Sequence, residues 1–445
     1  MAAKGLIKHG GGAKTRGQKL VEAKIIRISR GDTTELAIVD RDVYDSAMVS
    51  IVAYLVHPDC PCETLELKAN SFTVSGFISL APCFQVNKSV KTFSYISNKI
   101  GETLPTEGAD LYDRIEKVSN YVALGADGAH RFSAALRNNT TLTSVSLEDN
   151  NLFDEGAQCL AEALEGNSSL LHLRLANNQV GAKGCERLCT ALGRNGTLRS
   201  LDLDDNLLED GSIAGLMEAV QRSPSLTKLG LRSNRLTELG AAAVSKALDA
   251  NSRLLSVNMR RNQLGDGGAR HLAEALERHV ALKELHLSSN RIGNEGCRRL
   301  AGALEINVCL ESLSLDINNI EDEGAVAVAT MLEKNLSLAT IDLRMNRFSA
   351  DSFERLAKAL EVNRTLVALE VSDSLLAAKA PVAKIRQRLL ANQDEGQLAR
   401  KPTSGATKIS AEVAKPSAGG QSLAAAAEAA APLECDPEEV AKPSA

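Results

Sequence analysis

Tryptophan is absent and rings of any kind are scarce: aromatic residues make up 3% of the 445 positions, while apolar residues reach 44%. A core that apolar with so few rings must be built from Leu, Ala, Val and Ile, which suits thin stacked layers better than one thick globular core. A dominant charge is missing as well. The 51 Lys and Arg nearly balance the 56 Asp and Glu, for a formal net charge of -5. Such a balance gives no electrostatic footprint for nucleic acid and no attraction to a membrane surface. No apolar run approaches the roughly 18 residues needed to span a bilayer, and the start, Met1–Gly12, lacks the apolar stretch of a secretory signal. The nine cysteines are scattered without framework spacing, so free thiols in a reducing, cytoplasmic compartment are expected.

Motifs that carry chemistry are also wanting. The chain has no Walker motif, His-Glu-x-x-His, Gly-x-Ser-x-Gly or paired Cys-x-x-Cys. His57, Cys60 and Cys62 lie close together, but Cys-x-Cys without a second pair is not the spacing of a structural zinc site. Cys185 and Cys189 lie one helical turn apart beside Leu188, where packing explains them. Cys62 and Cys83 fall at apolar repeat positions and are expected in the core. The expectation is a protein that is not an enzyme and uses no cofactor, metal or small-molecule substrate.

What the chain has instead is a period. Leu142, Val145, Leu147, Asn150 and Leu152 are followed by Leu170, Leu173, Leu175, Asn178 and Val180, then by Leu198, Leu201, Leu203, Asn206 and Leu208. The asparagine recurs every 28 residues through Asn234, Asn262, Asn290, Asn318 and Asn346, and upstream at Asn70 and Asn98. Downstream, Ser374 takes its place. Gly156, Gly184, Gly240, Gly268, Gly296 and Gly324 lie six residues past it, followed by Leu and Ala at helical spacing and a second column, Asn167, Asn195, Asn251, Asn307, Asn335 and Asn363. The Leu-x-Leu half alternates with the strand period of two; the Leu-x-x-Ala-Leu half has helix spacing. Each unit is strand, turn, helix, turn, and stacking fuses the Leu columns into one core. The buried Asn amide is expected to satisfy backbone groups left open by the turn. Because a helix is wider than a strand, the stack bends with its strands on the inside.

Leu-x-x-Leu-x-Leu-x-x-Asn-x-Leu at this period resembles the ribonuclease-inhibitor subfamily of leucine-rich repeats, over roughly residues 34–378. The resemblance implies an α/β leucine-rich-repeat solenoid, a horseshoe with parallel strands on the concave face and helices on the convex face. Similar arrays belong to nuclease inhibitors, Ran GTPase-activating proteins, the sensor ends of innate-immune receptors and ciliary or flagellar assembly subunits.

The period breaks once. Asn98 to Asn150 is 52 residues, read as a unit of 28 and a distorted unit of 24 near 100–128, with Ala109–Lys117 helical and Tyr121 on the inner face. Residues 1–21, Gly- and Lys-rich, are expected to be a flexible segment. Residues 22–61 read as an N-terminal cap, with Asp42 in the Asn column, Leu36–Val39 as strand and Met48–Val56 as helix. The array proper is 62–378. Residues 379–392 read as a capping helix with Ile385, Leu389 and Leu390 inward. The Ala-, Ser-, Pro- and Lys-rich tail 393–445 cannot bury enough apolar surface to order itself.

The informative surface is the concave face, whose outward residues lie six, four, two and one positions before the column Asn. Acids come first: Glu148, Asp149, Asp202, Asp204 and Asp205, with Arg174 among them. Cations follow: Lys228, Arg232, Arg260 and Arg261. Glu284, His286, Asp316, Asp342 and Arg344 complete the face. Two readings are open. One is cross-strand pairing, such as Asp204 with Arg232 or Asp316 with Arg344. The other is a banded docking surface that fixes a partner's register. Together these features favour a cytoplasmic scaffold or assembly subunit, cytoskeletal or ciliary in kind, that binds a protein partner. The alternatives carried by the resemblance are a Ran-type GTPase activator and an innate-immune-like sensor.

Overall fold

The computed structural model describes residues 14–39, 43–97, 125–371 and 379–400. Among them, twelve parallel strands form one sheet whose spatial order is the sequence order from first to last. Three five-residue strands open it: β1 (Glu35–Val39), β2 (Thr64–Lys68) and β3 (Thr92–Ile96). Three-residue strands follow: β4 (Ser144–Ser146), β5 (His172–Arg174), β6 (Ser200–Asp202), β7 (Lys228–Gly230), β8 (Ser256–Asn258), β9 (Glu284–His286), β10 (Ser312–Ser314), β11 (Thr340–Asp342) and β12 (Ala368–Glu370). Neighbours keep the period as register, Leu173 beside Leu201 and Leu201 beside Leu229. Parallel pairing requires a crossover, and each unit supplies it as a helix, from Gly125–Asn138 and Phe153–Gly166 to Ala350–Ala359. These helices bury Leu on one stripe and Ala beside it, as Leu160, Ala161, Ala163 and Leu164 do, so adjacent helices approach closely.

Two asparagine ladders run through the stack. The Asn206 amide Nδ2 donates to Leu175 O one layer back (2.9 Å), and its Oδ1 accepts from the backbone N–H groups of Asn178 (3.1 Å) and Val180 (2.9 Å). Asn262 and Asn318 repeat the arrangement. In the second ladder Asn195 Nδ2 donates to Leu164 O (2.9 Å) and Asn167 O (3.0 Å), while its Oδ1 accepts from Thr197 and Leu198 N–H. His279 stands in that column and copies the amide: its Nδ1 accepts from Leu282 N–H (3.0 Å) and its Nε2 donates to Asn251 O (2.8 Å).

The residue before each first-ladder Asn is left-handed: Asp149, Asn177, Asp205, Ser233, Arg261, Ser289, Ile317 and Met345 have φ of 53° to 57°. That turn swings the chain off the strand so that the next side chain points inward. The glycine column has a different cause. Asp154 Oδ1 accepts from Gly181 N–H (2.7 Å) and Gly184 N–H (2.9 Å), capping the helix of the next layer, and Asp266 does the same for Gly293 and Gly296 (2.7 and 2.9 Å). A Cβ on Gly184 or Gly296 would lie 2.8 or 2.6 Å from the capping oxygen. The helices Ala182–Arg194, Glu238–Ala250, Asn294–Leu304 and Ala350–Ala359 are therefore N-capped by the layer behind them.

Three expectations need correction. First, β3 pairs directly with β4. Asn150 Nδ2 donates to Tyr95 O (2.6 Å) and Asn139 Nδ2 to Phe84 O (2.7 Å), so no 24-residue unit intervenes. The intervening sequence carries no Leu-x-Leu pattern. Tyr121, the expected helix 109–117, Asp42, Asn98 and Ser374 lie outside the described residues. Second, a helix spans Arg16–Ser29, starting inside the segment expected to be flexible. Thr15 and Gln18 form a capping box, and Val21, Ile25 and Ile28 pack inward. Third, the C-terminal helix spans Lys379–Arg400, past the expected end. Val382, Ile385 and Leu389 are buried, and Leu390 is 61% exposed. One turn of helix separates 382 from 385 and two separate it from 389, which leaves Leu390 on the outer face. Its Asn392 closes the second ladder on Asn363 O and Leu366 O.

Candidate functional site

The sheet places the first three outward columns on the strand face and the fourth at the left-handed turn along its edge, where Asp149, Asp205 and Arg261 sit. Arg174, Asp202, Gly230, Asn258, His286, Ser314 and Asp342 stand side by side in one row of the register.

The centre of the face is built around Gly230. A Cβ there would lie 2.7 Å from both Asp202 Oδ1 and Asp204 Oδ1, so glycine is what lets two carboxylates lean into the same space. Asp204 Oδ1 accepts from Arg232 N–H (2.8 Å), its Oδ2 accepts from Asn258 Nδ2 two layers on (2.8 Å), and Asp202 Oδ1 accepts from Asp204 N–H (3.0 Å). Burial, then the neighbouring Asp202 charge, pushes the Asp204 carboxyl up to about 7. Burial raises Asp202 too.

Cross-strand ion pairing is not what organises the face. Arg232 offers Asp204 its backbone N–H, while its guanidinium meets Asp205 at 3.2 Å. The left-handed turn displaces Asp205 sideways, into reach of the next layer's long side chain. Asp316 accepts from the Ser288 hydroxyl rather than pairing with Arg344, which binds Asp342 on its own layer (2.6 Å). Lys228 reaches Glu284 at 4.0 Å. Among the described residues Arg260 binds no carboxylate: Nε donates to Ser288 Oγ and Nη2 to Ser314 Oγ, each at 3.1 Å. His286 Nδ1 lies 2.9 Å from the same Ser314 hydroxyl, and burial with the Arg260 charge lowers its pKa. Glu148 accepts from Ser146 Oγ (2.8 Å). Among the described residues, Arg174 and Arg261 have no carboxylate within 4.0 Å. Gly230, Asn258, Ser288 and Ser314 were not singled out in the sequence. A glycine interrupting an outward strand column was the one available signal.

Away from this face the chemistry is that of packing. Burial pushes the thiols of Cys62 and Cys83 up to about 12 and about 11, which leaves them protonated and unreactive. Among the described residues, no group of three or more His, Cys, Asp or Glu is placed to hold a metal ion, and no helix is long and apolar enough to cross a membrane.

Five segments, 138–161, 166–189, 250–273, 281–301 and 307–329, match the family described as Leucine Rich repeat. No curated protein sequence matches the chain significantly. Solved structures similar to it include an internalin of Listeria monocytogenes, 17% identical, covering 83% of this chain and 92% of that one at a TM-score of 0.42. The actin-binding site 2 fragment of leiomodin-1 is 22% identical over 35% of this chain and 93% of its own (TM-score 0.32). The tropomodulin C-terminal domain of Caenorhabditis elegans is 15% identical over 37% and 99% (TM-score 0.31). The parallel sheet in 28-residue register and these five matched segments show that the chain is built of leucine-rich repeats.

Proposed function

We propose that the chain is a non-enzymatic interaction scaffold that receives a protein partner on its strand face. The observation that carries this reading is a contrast in charge pairing. On the helix side, cations reach back one layer to neutralise acids: Arg187 to Glu162 (3.3 Å), Arg194 to Glu165 (2.5 Å), Arg278 to Asp249 (2.9 Å) and Lys334 to Glu305 (2.6 Å). On the strand face, Asp202 and Asp204 crowd each other around Gly230 while, among the described residues, Arg174, Arg260 and Arg261 go without carboxylates. Charges arranged for the array's own stability would pair; instead two serine hydroxyls hold Arg260, and the Arg232 N–H and the Asn258 amide hold Asp204. An acidic centre followed by a basic band fits a partner of the opposite order and fixes its register.

The test is a crosslinking pull-down from native extract at pH 6 and pH 8. It compares the wild-type chain with Arg260→Glu/Arg261→Glu and with Asp202→Asn/Asp204→Asn. A partner seated on the face is retained by the wild type and reduced at least about tenfold by the arginine reversal. Retention rises from pH 6 to pH 8, because Asp204 ionises near 7 and only the ionised form attracts a cation. The asparagine variant loses that rise. Undiminished retention by both variants sinks the strand-face reading.

A further inference from the structure

A second surface lies where each helix hands over to the next strand. The residue just after the second-ladder Asn is small or polar in the early units: Thr140, Ser168, Gly196, Pro224, Ser252. It then becomes Val280, Val308 and Leu336, which are 72%, 76% and 74% exposed. The residue just before the ladder position changes as well, to Ile306 and Val362, at 65% and 61%. The ladder stacks them: Asn307 Nδ2 donates to His279 O (3.1 Å) and Asn335 Nδ2 to Asn307 O (3.2 Å), so Val280, Val308 and Leu336 follow one another layer upon layer. A contiguous exposed aliphatic stripe of this kind marks an interaction site, where a lone exposed Val would mean nothing.

The stripe is edged by acids that have lost their cations. Where Arg278 and Lys334 occupy the position before the ladder, they bind Asp249 and Glu305 one layer back. Where Ile306 and Val362 occupy it, the acids one layer back are Glu277 and Glu333. Among the described residues, neither has an ion pair within 4.0 Å. The same substitutions that create the apolar stripe therefore uncover its carboxylates. Arg364 bounds it at the far end.

We infer that this rim docks a basic amphipathic helix of a partner protein. Aliphatic anchors at helical spacing would lie along Val280, Val308 and Leu336, and flanking Lys or Arg would meet Glu277 and Glu333. The carboxylates repel an anionic lipid surface on the same ground. The site is separate from the strand face and stands whether or not that reading does.

The test uses the full chain and a fluorescein-labelled amphipathic peptide of about 18 residues, long enough to hold a helix, with Leu along one face and Lys and Arg beside it. An isomer carrying Glu in place of Lys and Arg is the control. Fluorescence anisotropy reads binding. The basic peptide binds, and the acidic isomer binds at least about tenfold more weakly. Val308→Ser/Leu336→Ser weakens the basic peptide at least about tenfold, and Glu277→Gln/Glu333→Gln about threefold. Arg260→Glu/Arg261→Glu leaves it unchanged, which separates this site from the strand face. The substituted rim positions are exposed, and the glutamine variant changes no apolar contact, so folding does not confound the reading. Equal binding of both peptides, or wild-type affinity in both rim variants, overturns the inference. So does sedimentation showing a wild-type dimer that Val308→Ser/Leu336→Ser dissolves, since that assigns the stripe to a second copy.

Discussion

The first layers of the stack and the layers in its middle fill the same space with different side chains. In the middle, the core columns hold Leu, Val, Ile and Ala with a few Met and Cys, and the helices run 11 to 14 residues. In the first layers, around β3, Phe77 meets Tyr95 edge-on at 4.7 Å, Phe84 meets Phe132 edge-on at 5.5 Å, and Phe93 lies 4.6 Å from Phe84 and 5.5 Å from Phe132. There the helical stretch is split into Val74–Leu80 and Cys83–Val86 by Pro82. Shorter helices leave volume, and rings standing in the places of Leu and Ala take it up; Phe72 and Phe77 occupy the columns of Leu152 and Ala157. Phe348 and Phe353 occupy the same two columns near the other end, 6.2 Å apart and edge-on. Rings thus gather toward the ends of the stack, where a layer's own bulk must do what a neighbour does in the middle.

The largest expected effect tests that division. Phe93→Ala should cost about 3–5 kcal/mol in a urea melt, because the pocket it leaves is lined by rings that cannot collapse into it. Leu229→Ala, in the same strand column of a middle layer, should cost about 2–3 kcal/mol, since its aliphatic neighbours relax more easily. Equal losses would mean that the rings are ordinary space-fillers and that the contrast has no energetic content.

The ladder gives the next test, now of what the middle layers rely on instead of rings. Asn318 donates to Leu287 O and Leu315 O and accepts from Asn290 and Ile292 N–H. Asn318→Ala strands those backbone groups in the core and should cost about 1–3 kcal/mol. Hydrogen exchange checks the mechanism: the Asn290 and Ile292 amides should exchange faster, while amides near Phe93 keep their protection.

The fold was legible because its physics repeats. An Asn that must close four backbone bonds cannot drift, so its column shows at every step of 28. What did not repeat was not legible. The 52-residue step from Asn98 to Asn150 divides as readily into two units as into one unit with an insertion, and the pairing of β3 with β4 and the bond from Asn150 to Tyr95 decide. The glycine column was visible, but its cause was not, since the capping aspartates Asp154, Asp210, Asp266 and Asp322 recur at every second unit. At the candidate site the outward positions were readable from strand alternation. The partners were not: Arg232 chooses Asp205 over Asp204 because a left-handed turn moves Asp205 aside, and Gly230 matters only once three layers are in register.

The smallest effect asks whether the two regions share the one strained element common to them. Ala69 and Ser97, beside the ring cluster, are left-handed at φ 49°, as Ile317 is at 55° in the ladder region. A β-branched side chain suffers most in that conformation, and Ile317 is 45% exposed, so little packing offsets the strain. Asn177 holds the same column at φ 54°, and Asn tolerates it by bonding its own backbone. Ile317→Asn should therefore raise stability by about 1 kcal/mol, and Ala69→Asn by about half that, since Ala has no branch to relieve. Gains in that order would show that the turn is one device used in both regions. A gain confined to Ile317 would mean that the ring-packed layers hold their turn by side-chain bulk alone, and that the two halves differ in backbone as well as in core.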